Sequence, residues 1–135
     1  MKYFPPTKSG FHSLRVNFVD ENNLVVGFDF GSNCCEDFGW LISEELAPPA
    51  ECVVGLDDTA PVEYVNKELK GWVFDPKFHF NLTEHRKYDE EHYAVFRMIN
   101  KNQTRYLHLY NKHNGYYSHG FEFMDGDKII EQGAL

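Results

Sequence analysis

The sequence predicts a mainly antiparallel β protein, a sheet or sandwich built of hairpins with one short helix; α+β is the neighbouring class. Three observations carry this. Aromatic residues make up 16% of the chain, with 12 Phe and 8 Tyr, and large flat side chains suit a pleated, half-buried surface. Several short runs alternate apolar and polar residues at period two, the pattern of a strand with one buried face. Turn-forming clusters stand between those runs, at Asp20-Glu21-Asn22-Asn23 and at Asn114-Gly115.

Taken in order, residues 3–10 carry two prolines and read as a loose arm or an edge segment. Leu14, Val16 and Phe18 alternate with polar neighbours, and so do Leu24, Val26, Phe28 and Phe30. If Phe18 and Val26 share a face, the intervening loop has an odd number of residues. A three-residue loop at 21–23 with Asn23 left-handed satisfies that. Residues 35–42 predict a third strand with Phe38, Trp40 and Ile42 on one face. Residues 57–71 are the most helical stretch: Thr59 suits a cap, Pro61 a first turn and Gly71 a stop, with Val62, Val65 and Leu69 on one face. Residues 72–80 predict a strand interrupted at Pro76, and the polar residues 81–91 an exposed loop. Strands follow at 92–99 and 105–110. Asn114-Gly115 predicts a tight hairpin pairing 105–110 with 116–124. Residues 125–135 read as a turn and a tail, with a final strand at Ile129-Ile130 as an option.

The 135 residues fit a single domain, with a core over about 11–124, an arm at 1–10 and a tail at 125–135. The net charge is -8. Such a surface argues against nucleic acid, whose affinity comes from Lys and Arg releasing counterions. It suits a basic protein partner or a cation. No apolar run reaches the roughly 18 residues of a membrane span, and the opening residues lack the apolar core of a signal peptide. The expectation is a cytoplasmic protein with no membrane role.

Under the predicted hairpin, Tyr106, His108, Tyr110, Tyr117, His119, Phe121 and Phe123 share one face, with Leu107, Leu109, Asn111 and Ser118 on the other. His108 and His119 then lie opposed or diagonal, as a ligand platform or half a metal site, or simply as part of an aromatic core. Cys34-Cys35-Glu36 is the other unusual feature. Adjacent strand residues point to opposite faces, so both thiols reach one ion only if the backbone bends. Three readings stand: a zinc site of Cys34 or Cys35 with Cys52 and a histidine such as His119; a cysteine nucleophile with His108 or His119 as base; and small buried hydrophobes, the commonest role of free cysteine. The carboxylates Glu36, Asp37, Asp57 and Asp58 form a further acid–base set, one that works only if their environments split their pKa values.

Asn33-Cys34-Cys35-Glu36, Leu69-Lys70-Gly71-Trp72 and Asn114-Gly115-Tyr116-Tyr117-Ser118 resemble the motifs of a family of small domains of unknown function found in bacteria and their phages. The resemblance spans roughly residues 14–123. It departs before the first motif, where a family histidine has no counterpart, and in the polar insert at 81–91. It implies no activity; it marks two motifs that should meet, bringing Glu36 and a cysteine near Tyr117, Ser118 and His119.

The function expected is non-catalytic binding of a protein partner by an accessory module, phage-encoded or bacterial. The candidate patch is Cys34, Cys35, Glu36, His108, Tyr110, Tyr117, Ser118 and His119. No cofactor is expected, with zinc as the alternative. A metal- or cysteine-dependent enzyme using the same region is the runner-up. Self-association as a homodimer is the third reading, since open sheet edges pair with their own copies.

Overall fold

A computed structural model describes residues 1–6, 14–31, 37–46, 56–85, 90–113 and 118–135, and their side chains except at 80–85, 90, 91 and 113. The first sheet contains β1 (Lys2–Phe4), β2 (Arg15–Val19), β3 (Leu24–Asp29), β8 (Gly120–Asp125) and β9 (Lys128–Ala134), in the order β1-β2-β3-β8-β9. The second contains β4 (Asp37–Ser43), β5 (Val73–His85), β6 (Glu90–Asn100) and β7 (Gln103–His113), in the order β4-β7-β6-β5. Neighbouring strands are antiparallel throughout. One helix, α1 (Val62–Glu68), links β4 to β5.

The two sheets pack face to face, and the faces that the alternation predicts in β2, β3 and β4 are among those buried. Val16, Phe18, Val26, Phe28, Phe121 and Phe123 come from one sheet, and Trp40, Ile42, Phe96, Met98, Leu107 and Leu109 from the other, all in one buried cluster. Rings interlock across the layer: Phe18 meets Trp40 edge-on at 5.0 Å between centroids, and Phe96 meets Phe123 at 5.1 Å. Each such side chain contributes about 1.5–3 kcal/mol on leaving water.

The β2–β3 hairpin follows the sequence expectation. Phe18 opposes Val26, and Asn23 is left-handed at φ 66°. Asp20 organises the turn. Its Oδ1 accepts from the N–H of Asn22 and of Leu24, each at 2.9 Å, and its Oδ2 accepts from Phe74 N–H at 2.8 Å, at the start of β5. Helix α1 opens at Pro61 and stops before Gly71, whose φ is +86°. Thr59 is not its cap: the Thr59 hydroxyl donates to Asp57 Oδ1 instead. Val65 and Leu69 are buried. Asn66 clasps the backbone of Tyr3, accepting from its N–H at 2.8 Å and donating to its carbonyl at 3.4 Å. The start of the expected arm is therefore an edge strand held down by the helix.

Three expectations are corrected. Residues 81–85 and 90–91 are not a loop: they extend β5 and β6, with Asn81 opposite Ala94 and His85 opposite Glu90. A ladder of backbone hydrogen bonds tolerates polar side chains, so polarity alone did not mark a loop here. The tail is corrected in extent only: the optional strand at Ile129-Ile130 is present and runs from Lys128 to Ala134 as β9, folded back on β8 through Gly126 at φ +58°.

The third correction concerns the Asn-Gly hairpin. β7 pairs with β4 (Leu109 opposite Trp40) and with β6 (His108 opposite Val95), whereas β8 pairs with β3 and β9. Residues 114–117 lie outside the described residues. The reason for the crossing is one of parity. In a β7–β8 hairpin, Phe121 and Phe123 would share a face with His108, and Leu107 and Leu109 would face the other way. One apolar set would be left outside the core. Crossing to the other sheet lets both sets face the same interior.

Candidate functional site

The start of β4 lies against the end of β7: Asp37 opposes Lys112 and Phe38 opposes Asn111. The Cys34-Cys35-Glu36 motif runs directly into Asp37, and Asn114-Gly115-Tyr116-Tyr117 runs directly out of His113. Cys34, Cys35, Glu36, Cys52 and Tyr117 lie outside the described residues. Their anchors converge all the same, because antiparallel pairing sets the first residue of one strand beside the last of the other.

The contact that joins the anchors is made by rings. Phe38, leaving the first motif, stacks on His119, leaving the second, with centroids 3.8 Å apart and planes 17° apart. Phe28 and Phe30 close around the pair, Phe28 at 6.1 Å from His119 and Phe30 at 5.1 Å from Phe38. His119 is buried, and its Nδ1 lies 3.0 Å from the Asp29 carbonyl. A carbonyl only accepts, so Nδ1 carries the proton. The backbone of His119 exchanges two hydrogen bonds with Leu135, each 2.9 Å, and buried Asn111 donates from Nδ2 to the Leu135 carbonyl at 3.1 Å. Ser118 is exposed beside this cluster.

Residues 11–123 match a family described as a domain of unknown function, DUF7448. The chain belongs to that family. Comparison with curated proteins and with solved structures finds no match. The DUF7448 span takes in the two motif positions and the rings between them.

His108 is elsewhere in the DUF7448 domain. Leu107 and Leu109 face the core, so His108 between them faces outward from the second sheet. It is nonetheless buried, at 1% exposure, beneath the chain that leaves β4, where its Nε2 donates to the Glu45 carbonyl at 3.0 Å. Burial pushes its pKa below the usual histidine value, outweighing the Glu45 bond. The hairpin would have made His108 and His119 neighbours; they belong instead to different layers. Tyr110 shares the outward face with His108 and is half-buried.

Tyr110 does meet a group that sequence reasoning weighed lightly. Residues 56–58 run along the edge of β4, with Ile42 N–H donating to Leu56 O at 2.8 Å and Asp58 N–H to Trp40 O at 3.3 Å. This delivers the Asp58 carboxylate over Gly39. A Cβ at Gly39 would run into Asp58 Oδ2 and sit 2.9 Å from Tyr110 Oη. Burial, then the charges of Asp57 and Asp37, raise the Asp58 pKa from 3.8 to about 6. So the carboxylates of the predicted acid–base set that are described do gather, and their environments differ. The signal in sequence was Gly39, which leaves a pit on a strand of large residues.

Asp58 has a pH consequence. The folded chain holds its proton up to about pH 6, and the unfolded chain releases it near 3.8. Between those values the folded state binds more protons, so this contribution to stability is complete at low pH and lost as pH rises through 6. Asp58→Asn should stabilise the protein by about 1–2 kcal/mol at neutral pH, a figure discounted for partial exposure. It should make little difference near pH 4. Urea unfolding at the two pH values checks this, and an equal effect at both would contradict it.

Proposed function

We propose that this domain is a non-catalytic binding module, an accessory protein that engages a protein partner through the end of the sandwich where the two motifs emerge. The observation that supports this is the use made of the histidines. His119 and His108 each give a ring N–H to a backbone carbonyl, and both rings are buried in separate places. The second nitrogen of each neutral ring keeps its lone pair, but at 1% exposure neither ring meets solvent, and a general base must lie within hydrogen-bond reach of the group it serves. Among the described residues, the exposed groups at the motif end include Ser118, Lys112 and Asp37, set on a rigid ring cluster, and loops carried by a rigid scaffold are where binding concentrates. The overall acidity favours a basic partner surface. A cytoplasmic setting, bacterial or phage-encoded, agrees with the sequence features.

The test is affinity capture from bacterial lysate with the tagged protein. One partner should be recovered by the wild type and by Gln103→Glu, at the far end of β7. It should be lost with Ser118→Arg. Recovery of the protein alone, or equal recovery by Ser118→Arg, would contradict the proposal.

A further inference from the structure

Three of the four sheet edges carry their own covers among the described residues. Asn66 binds the outer backbone of β1, residues 56–58 line β4, and Asp20 and Asp75 take the Phe74 and Lys77 N–H groups of β5. Among the described residues, nothing covers the outer edge of β9 in this way at its last residues, and Gln132, Gly133 and Ala134 are exposed. The hydrogen-bond phase shows which groups are open. His119 and Leu135 exchange both bonds, so the next pair, Gly120 with Ala134, is a non-bonded pair, and so is Glu122 with Gln132. The N–H and C=O of Gln132 and Ala134 therefore point away from β8, towards the open side.

Beside this edge, a groove of about 470 Å³ crosses the outer face of the first sheet at the motif end. Gly120 lines it, and Gly27 stands opposite Glu122, another lining residue. A Cβ at Gly27 would lie 2.7 Å from the Arg15 guanidinium, and one at Gly120 would lie 2.8 Å from Asp29 Oδ2. Arg15 lies flat between two carboxylates, at 3.9 Å from Asp29 Oδ1 and 3.4 Å from Glu122 Oε2. Two carboxylates share one guanidinium at loose distances, and Asp29 Oδ2 hangs over Gly120, turned towards β9. Gln132 and Ala134, opposite Glu122 and Gly120, share this face.

We propose that an extended segment of a basic protein partner adds to β9 as a further strand. It bonds to the outward groups of Gln132 and Ala134 and lays a Lys or Arg side chain across Ala134 and Gly120 onto Asp29. Strand spacing of about 4.8 Å puts Asp29, above the second strand in, about 10 Å from the added backbone, within reach of a long basic side chain. This is strand addition to an exposed edge, in which backbone bonds supply affinity and a side-chain pocket supplies specificity. A second copy of this chain is the disfavoured occupant, because it would join two molecules that each carry a net charge of -8. The inference rests on the reading of the domain as a protein-binding module.

The experiment selects binders to the full-length protein from a display library of random short peptides. The probe is the most enriched peptide, made synthetically and titrated by calorimetry. It should carry Lys or Arg among β-forming residues and should protect the Gln132 and Ala134 amides from hydrogen exchange. Gln132→Pro, which removes an outward N–H, should weaken binding at least about tenfold. Ala134→Arg, at an exposed position, should do the same by placing its own guanidinium on Asp29, and so covers the case in which the proline variant folds poorly. Unchanged affinity in both variants, protection elsewhere, or no enriched peptide overturns the inference. So does a dimer that Gln132→Pro dissolves. A lysate partner lost with Ser118→Arg but kept with Gln132→Pro overturns this inference and leaves the binding-module reading standing. A partner kept with both variants removes both.

Discussion

Asp20→Ala should destabilise the protein by about 3–5 kcal/mol in urea unfolding at neutral pH. Asp20 is 6% exposed, and its carboxylate satisfies three backbone N–H groups. Those of Leu24 and Phe74 are in buried bonds, and the third, from Asn22, is partly buried. Alanine would leave the two buried donors with no acceptor, at about 1–3 kcal/mol each, in addition to the loss of a charge-assisted bond. Water can take over at Asn22, so that contact adds little. The loss is a large part of the 5–15 kcal/mol that holds a typical domain. Asp20→Asn separates the contributions. Its amide oxygen can still serve the turn, but its NH₂ then faces Phe74 N–H, donor against donor, and about half of the loss should remain. A change below about 1 kcal/mol in Asp20→Ala would show that the turn and β5 do not depend on this carboxylate.

His119→Ala should cost about 2–4 kcal/mol, and its effect should be local. The ring is buried, stacked on Phe38 and hydrogen-bonded to the Asp29 carbonyl. Removing it opens a cavity among Phe28, Phe30 and Phe38 and leaves that carbonyl without its donor. Because the ring ties the flank of one motif to the flank of the other, amide exchange should rise at Asp29, Phe38 and Leu135 well before it rises at Trp40 or Leu107. His119→Phe is the informative companion. It keeps the stack and loses the bond, so it should recover roughly half of the stability. Uniform loosening of both sheets would instead make His119 an ordinary core residue with no special link to the motif end.

These expectations also separate the two histidines. His108 is held by the Glu45 carbonyl on the outer side of the second sheet, and its pKa is lowered by burial. Its neutral form belongs to the folded state, so its contribution is complete above the ordinary histidine value of about 6.5 and falls away on acidification below it. Asp58 acts in the opposite sense over an overlapping range. Stability around pH 4–6.5 is thus a balance of the two, and Asp58→Asn isolates the histidine side of it.

Much of the framework could be read from the residues alone. Period-two alternation assigned the inward faces at Val16 and Phe18, Val26 and Phe28, and Trp40 and Ile42, and all of these are buried; in β7 it separated Leu107 and Leu109 from His108 without marking which face is inward. The three-residue turn with left-handed Asn23 followed from parity, and the stop at Gly71 from its lack of a Cβ. These are local properties, set by side-chain direction and by φ, and neighbouring residues are enough to specify them. The partner of each strand was not legible. Asn114-Gly115 pointed to a β7–β8 hairpin, yet any strand edge offers the same N–H and C=O groups. What selected β4 and β6 for β7, and β3 and β9 for β8, was the burial of two apolar sets of opposite parity in one interior. The Asp20–Phe74 bond, the stacking of Phe38 on His119 and the placing of Asp58 over Gly39 each join residues far apart in the chain. The sequence by itself determined which side chains share a face of each strand; only the tertiary structure decided which of those faces is buried and which strands, and therefore which motifs, they bring together.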